Sequence, residues 1–169
     1  MKNVIIRNIK EEDIPKVVDI QISGWQTAYK GIIDDETLNK LNREDKINQR
    51  QKDYKDTKFI VAEINDDIVG FCRYIDSNKY TQNIPEIDCE IMALYVKPDL
   101  KYNGIGTKLF QFAYNEFKNN NKTKMIIWCL KDNEPAKKFY KKMGGKIIGE
   151  KEIKIDNKTY YEVGFLYTL

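Results

Sequence analysis

The sequence predicts a mixed α/β (α+β) fold, and three observations carry that reading. Short apolar runs of strand length recur along the chain. Stretches with apolar residues at steps of three and four fall between them. Gly, Asn, Asp and Pro mark the joins. The resulting order is β-α-α-β-β-β-α-β-α-β-β, read as one domain over residues 1–169. That length can bury a good core.

Residues 4–9 read as a short strand. Acids at Glu11, Glu12 and Asp13 then open a helix in which Pro15 is tolerated early. Its apolar face is Ile14, Val17, Val18, Ile22 and Trp25, and Gly24 and Gly31 punctuate its end. A second helix starts at Asp34-Asp35-Glu36, with Leu38 and Leu41 inward. Residues 42–58 are polar and read as a solvated helix or a loop. Residues 59–64 and 68–75 form a hairpin around Asn65-Asp66-Asp67. Residues 77–85 are a polar loop without periodicity. The apolar run 88–96 is the central strand, and Pro98 stops it for want of an N–H. Gly104-Ile105-Gly106 opens a helix whose apolar residues recur as Ile105, Leu109, Phe112, Ala113 and Phe117. Residues 125–130 are the next strand. Asn133 and Pro135 start a helix with the stripe Ala136, Phe139, Tyr140 and Met143, which Gly144-Gly145 ends. Residues 146–155 and 159–169 are a closing hairpin turned at Asp156-Asn157.

Composition narrows the function. Hydrophobic residues are 41% and charged residues 33%, which is a globular rather than a disordered balance. The net charge of +3 and the lack of a basic–aromatic tract give no reason to expect nucleic acid. The chain has no histidine, which excludes Ser-His-Asp and Cys-His nucleophile systems. Cys72, Cys89 and Cys129 are scattered through apolar runs, so they read as core thiols, and no metal site is expected. Any general base is therefore Asp, Glu, Tyr, Lys, Cys, a chain terminus or water. Only a short apolar run follows Met1-Lys2-Asn3, and no segment is long enough to span a bilayer. A cytoplasmic protein without membrane contact is the expectation.

The join between residues 91–96 and the glycine helix has the form of an anion site. The first turn of a helix offers N–H groups without intrahelical partners, and glycine lets a phosphate approach them. It is not a Walker loop, because Gly106 is followed by Thr107 rather than Lys. It is not a dinucleotide fingerprint either, because Leu109 occupies the third glycine position. Lys101-Tyr102-Asn103-Gly104-Ile105-Gly106 instead resembles the acetyl-CoA loop of the GNAT superfamily of N-acetyltransferases, [RQ]-x-x-G-x-[GA]. Lys101 stands where that family has Arg or Gln, and it keeps the charge without the planar fork of Arg. Three more blocks follow in order. Leu94-Tyr95-Val96-Lys97-Pro98 resembles the end of the family's central strand. The run from Asn133 to Gly145 resembles N-x-x-A-x-x-[FL]-Y-x-x-x-G-[FG]. Trp25, Tyr29 and Gly31 resemble the W-x-x-[AT]-Y-x-G-[IL] segment of a bacterial subgroup. Together the blocks cover nearly the whole chain.

The resemblance implies a mostly antiparallel sheet splayed at the cofactor strand, with helices on both faces. It implies acetyl-CoA as cosubstrate, its pantetheine arm paired along Leu94, Tyr95 and Val96 as a strand would be. The pyrophosphate would lie on Lys101, Tyr102, Asn103, Gly104, Ile105, Gly106 and Thr107, with Asn133 bonding the arm. Asn133 is equally a plain helix cap. Tyr140 matches the residue proposed to protonate the departing thiolate, and is otherwise a core aromatic. Glu90 is placed as the general base, with Asp88 or a water chain as alternatives. By strand alternation Asp88 and Glu90 share a face. Trp25 and Tyr29 line the acceptor cleft or are core. The implied activity is acetyl transfer from acetyl-CoA directly to a primary amine of a small molecule or peptide. The competing reading is a non-catalytic acetyl-CoA-binding sensor or interaction module. The acceptor, the acyl length and the oligomeric state stay open, although homodimers are common in the family.

Overall fold

The computed structural model describes residues 3–77, 84, 86–101 and 103–169. Its centre is a seven-stranded sheet in the order β1-β2-β3-β4-β5-β7-β6. The strands are β1 (Ile5–Asn8), β2 (Lys58–Ile64), β3 (Asp67–Ile75), β4 (Cys89–Val96), β5 (Lys124–Leu130), β6 (Lys146–Ile155) and β7 (Lys158–Thr168). Among the described residues five α-helices accompany them: α1 (Ile14–Ala28), α2 (Asp35–Asn39), α3 (Arg43–Asp53), α4 (Ile105–Asn119) and α5 (Glu134–Lys142). Only β4 and β5 pair in parallel; every other neighbouring pair is antiparallel. The two hairpin turns use left-handed residues, Asn65-Asp66 and Asp156-Asn157, the residue types that tolerate positive φ best after glycine.

The sheet has helices on both faces, as expected. On one face α1 packs through Val17 and Ile20 onto Phe59, Val61, Ile68 and Phe71. On the other, Ile105, Leu109, Phe110, Ala113 and Phe117 of α4 and Tyr140 of α5 close over Ile60, Cys72, Ile91, Met125, Ile127 and Phe165. The polar stretch after α2 is a helix rather than a loop, which adds one helix to the order given above among the described residues. Asn42 caps α3 by accepting from the Asp45 N–H, and Ile47 alone is buried from it.

Two features of β4 position everything that follows. The first is a bulge. Arg73 pairs with Ala93 and Tyr74 with Ile91, so Met92 is an extra residue on β4. It resets the alternation. Cys89 and Ile91 face α4, and so do Leu94 and Val96, whereas Ala93 and Tyr95 pack on the α1 side. Glu90 therefore shares the face of Tyr95, not of Leu94. The second feature is a split. Pairing with β5 runs only over Cys89↔Met125, Glu90↔Ile126 and Ile91↔Ile127. Beyond Ile91 the β5 side of β4 has no strand partner, while its other side stays paired to β3.

Asp88, the alternative base, is committed elsewhere. It lies just before β4, and its carboxylate accepts from the Thr123 N–H, the Thr123 hydroxyl and the Lys124 N–H. Burial would raise its pKa, but those donors outweigh burial and hold it below the ordinary carboxylate value. It ties the start of β4 to the start of β5.

Candidate functional site

The open wedge between β4 and β5 is bounded by three sets of groups. Along one wall runs the unpaired edge of Leu94, Tyr95 and Val96. At its mouth stands the N-terminus of α4. Gly104 is the N-cap residue with φ +77°, a backbone state that favours glycine. The first intrahelical bond there runs from Lys108 N–H to Gly104 O, so the helix offers no partner to the N–H groups of Ile105, Gly106 and Thr107. The Ile105 side chain is core, and it fixes the turn from below. A Cβ on Gly106 would lie 3.7 Å from both Phe139 of α5 and Val96 of β4. That is ordinary contact, so the protein's own packing does not demand glycine there. What glycine does is leave the N–H surface open. Lys101 is half-buried and Asn103 exposed in the approach, with Asn103 Nδ2 donating to Leu100 O at 3.3 Å. Tyr102 lies outside the described residues.

The third set is at the apex. Glu90 is one residue below the last β4–β5 pair. It is 8% exposed, and its Oε2 is buried without a hydrogen-bond partner. Burial pushes its carboxyl up to about 7; the Lys151 ammonium pulls it back and the Glu162 carboxylate raises it. An orphaned buried carboxylate is costly, and its persistence asks for a ligand that completes it.

Two sequence-derived residues, Trp25 and Tyr29, come to the same face. Their rings make an edge contact at 5.1 Å, and the Tyr29 hydroxyl is 3.0 Å from the Tyr95 hydroxyl. The Trp25 indole nitrogen is buried and unpaired. Both rings pack with Ile33, Leu38 and Leu130, so Trp25 and Tyr29 belong to a core cluster. Gly24 does not end α1. It lies inside the helix because the Tyr95 ring crosses there, where a Cβ would come within 2.7 Å. Gly24→Ala is therefore expected to push the Tyr95 ring out of place. The expected destabilisation is about 1–3 kcal/mol by urea unfolding, with loss of the Tyr29–Tyr95 bond.

Tyr140 and Asn133 flank the wedge from the α5 side. The Tyr140 ring is buried against Phe139 and Phe165, and its main-chain oxygen accepts from the Tyr167 hydroxyl at 2.7 Å. Burial holds its phenol well above the usual value; the groups near it are Cys129, Tyr95, Cys72 and Tyr167. Asn133 is the N-cap of α5, its Oδ1 accepting from the Ala136 N–H at 3.3 Å. The cap uses the oxygen and leaves the amide NH2 for another partner. The three cysteines are free and buried, and burial lifts the Cys129 thiol up to about 12, which keeps it unreactive. Among the described residues there is no cluster suited to a metal ion.

Sequence reasoning passed over three neighbours on the Glu90 face: Trp128 of β5, Lys151 of β6 and Glu162 of β7. Glu162 is a strand carboxylate between Tyr161 and Val163, the same signal that drew notice to Glu90. The segment 77–85, read as a polar loop, lies almost wholly outside the described residues.

Comparison with known proteins shows the family and the fold. The model of the acetyltransferase (GNAT) family matches residues 25–145, well over half of the chain. A probable N-acetyltransferase of Mycobacterium tuberculosis is 28% identical over 163 residues, covering 94% of this chain and 84% of the relative. The spermidine N(1)-acetyltransferase of Thermoplasma acidophilum is 24% identical over 153 residues, covering 86% and 89%. A solved N-acetyltransferase of Thermoplasma acidophilum, in complex with coenzyme A, superposes with a TM-score of 0.73. It is 21% identical and covers 98% of this chain and 99% of its own, which establishes the fold alone.

Proposed function

Because the chain belongs to the acetyltransferase (GNAT) family, we propose that it moves an acetyl group from acetyl-CoA directly to a primary amine of a small molecule or peptide. The observation that carries this reading is Glu90, a buried carboxylate with one oxygen unpartnered, at the apex of a split in the sheet. The relatives support it: one is a spermidine N(1)-acetyltransferase, and one solved neighbour was determined with coenzyme A.

The residues present fit the cosubstrate, which supplies an activated thioester. The free edge of Leu94, Tyr95 and Val96 offers main-chain groups for the pantetheine amides. The N–H groups of Ile105, Gly106 and Thr107 would take a phosphate, helped by the dipole of α4 and by Lys101, with Asn103 and Gly104 forming the approach. The amide nitrogen of Asn133, which the cap does not use, would donate to the arm.

Glu90 answers the hard step. An alkylammonium has a pKa of about 10.4, so freeing the amine at neutral pH costs roughly 4–5 kcal/mol. A glutamate lifted from 4.5 to about 7 holds a proton more tightly than an ordinary one by roughly 3 kcal/mol. That makes it a better acceptor for the ammonium proton, directly or through water, while a large share stays ionised near neutrality. Tyr140 faces the opposite task, since burial keeps its hydroxyl protonated and able to donate to the sulfur that leaves.

The test is acetyl-CoA turnover, read as free thiol, against a panel of amines and peptides. Sustained thiol release that depends on the amine supports the reading; tight acetyl-CoA binding without turnover overturns it. Binding has its own check in Gly106→Val. The branched side chain would stand on the phosphate-facing turn, so coenzyme A affinity by calorimetry is expected to fall at least about tenfold with the fold retained. Unchanged affinity would remove the α4 turn from the cosubstrate site.

A further inference from the structure

The Glu90 face carries a second charged cluster that the acetyl-transfer step does not use. We propose, on the footing of the reading above, that Glu162 and the face of Trp128 form a cation subsite for a second ammonium of the acceptor. Lys151 occupies that subsite as an internal stand-in, and the acceptor class is a diamine rather than a simple monoamine.

The placement follows from strand register. Glu90 pairs with Ile126, and Ile126, Trp128 and Leu130 share a face of β5 by alternation. Leu130 pairs with Glu162 of β7, and Glu162 with Lys151 of β6. Glu90, Trp128, Glu162 and Lys151 therefore line one side of the sheet, beyond the edge of α1. The Trp128 ring lies close over Gly164, where a Cβ would come within 2.9 Å. Any larger residue at 164 would lift the ring off the sheet.

Lys151 reports what this arrangement binds. Its Nζ is 4.3 Å from the Trp128 ring centroid and 3.5 Å from Glu162 Oε2. A primary ammonium is thus already held by an aromatic face and a carboxylate, the two features that recognise alkylammonium groups. Lys151 is on the edge strand with its side chain 40% exposed, so it can swing into solvent at small cost. Glu90 provides the independent sign of a ligand: it is over nine-tenths buried, and one of its oxygens has no partner. Two half-buried or buried carboxylates share one lysine here, which leaves room for one more positive charge. A diammonium acceptor satisfies both acids. One end donates its proton to Glu90 and the other replaces Lys151 between Trp128 and Glu162.

The experiment is acetyl-CoA turnover on a ladder of linear α,ω-diamines and matched n-alkyl monoamines, with wild type, Glu162→Gln and Lys151→Met. The wild type should favour the best diamine over its matched monoamine by about tenfold or more in kcat/KM. Glu162→Gln should collapse that ratio by about tenfold, mainly by raising the diamine KM. Lys151→Met should do the opposite and lower the diamine KM, because the internal competitor is gone. A gain of that kind cannot come from a damaged fold. Turnover with no diamine preference, or both variants shifting KM in the same direction, overturns the subsite alone. Absence of turnover with every amine overturns the acetyl-transfer reading and this subsite with it.

Discussion

Glu90→Gln is expected to lower turnover at neutral pH by about two to four orders of magnitude, the span general bases usually contribute. The substitution keeps size and hydrogen-bonding shape and removes the basic oxygen. Raising the pH supplies neutral amine from solution, so the variant should recover part of its rate on the alkaline side. Acetyl-CoA affinity should hold, because the α4 turn proposed to take the phosphates is at the other end of the β4–loop–α4 unit. A pH–rate profile of both proteins decides it, and coincident profiles would clear Glu90 of the role.

The same variant has a second readout with the opposite sign. Glu90 has its pKa raised on folding from 4.5 to about 7, so between those values the folded state binds more protons than the unfolded. Stability contributed by this group is therefore present below about 4.5 and lost as pH rises through about 7. Removing the ionisable group should make the free protein more stable above pH 7 by up to about 2–3 kcal/mol. Loss of activity joined to a gain in stability is the pattern of a functional acid held in an unfavourable place. Loss of both would point to a structural role.

How much of this was legible in the sequence depends on whether the deciding contact is local. The apolar run into Pro98, the glycine turn and the 3–4 periodicity of α4 are local signals, and each gave its element within a residue or two. So did Asn133 and Pro135 at the start of α5. The helix α3 was ambiguous because it buries Ile47 alone and stands on its cap and on surface pairs such as Arg43–Asp19. The bulge at Met92 was not legible at all. Its cause is register against β3, so alternation counted along β4 does not give the face that Glu90 shares with Ala93 and Tyr95. The face of Glu90 in turn decides its neighbours. Trp128, Lys151 and Glu162 stand 38 to 72 residues away in sequence, and only the order β4-β5-β7-β6 brings them beside it. Gly24 misled for a similar reason: it reads as a helix stop, and its role is space for a ring from β4.

Tyr140→Phe tests the other end of the reaction. The ring is core and stays core in phenylalanine, so the packing against Phe139 and Phe165 and the main-chain bond from Tyr167 should survive. Only the hydroxyl is lost. Burial holds that hydroxyl well above the usual tyrosine pKa, which fixes it in the donor form throughout the working range. It also limits what the group can do. Full proton transfer to a thiolate of ordinary pKa, about 8.5, would run uphill from a phenol above 10. A hydrogen bond that strengthens as charge develops on sulfur does not have that limit, since it stabilises the leaving group without needing the proton to move. The expected loss in kcat is therefore about ten- to a thousand-fold, with coenzyme A affinity and thermal stability near wild type. Thioesters with a better leaving thiol, such as an acetylated aryl thiol on a pantetheine-like chain, should lose less, because their thiolates need less help. A variant with unaltered kcat, or one whose loss is the same for good and poor leaving thiols, would return Tyr140 to the role of a core aromatic at the foot of the wedge.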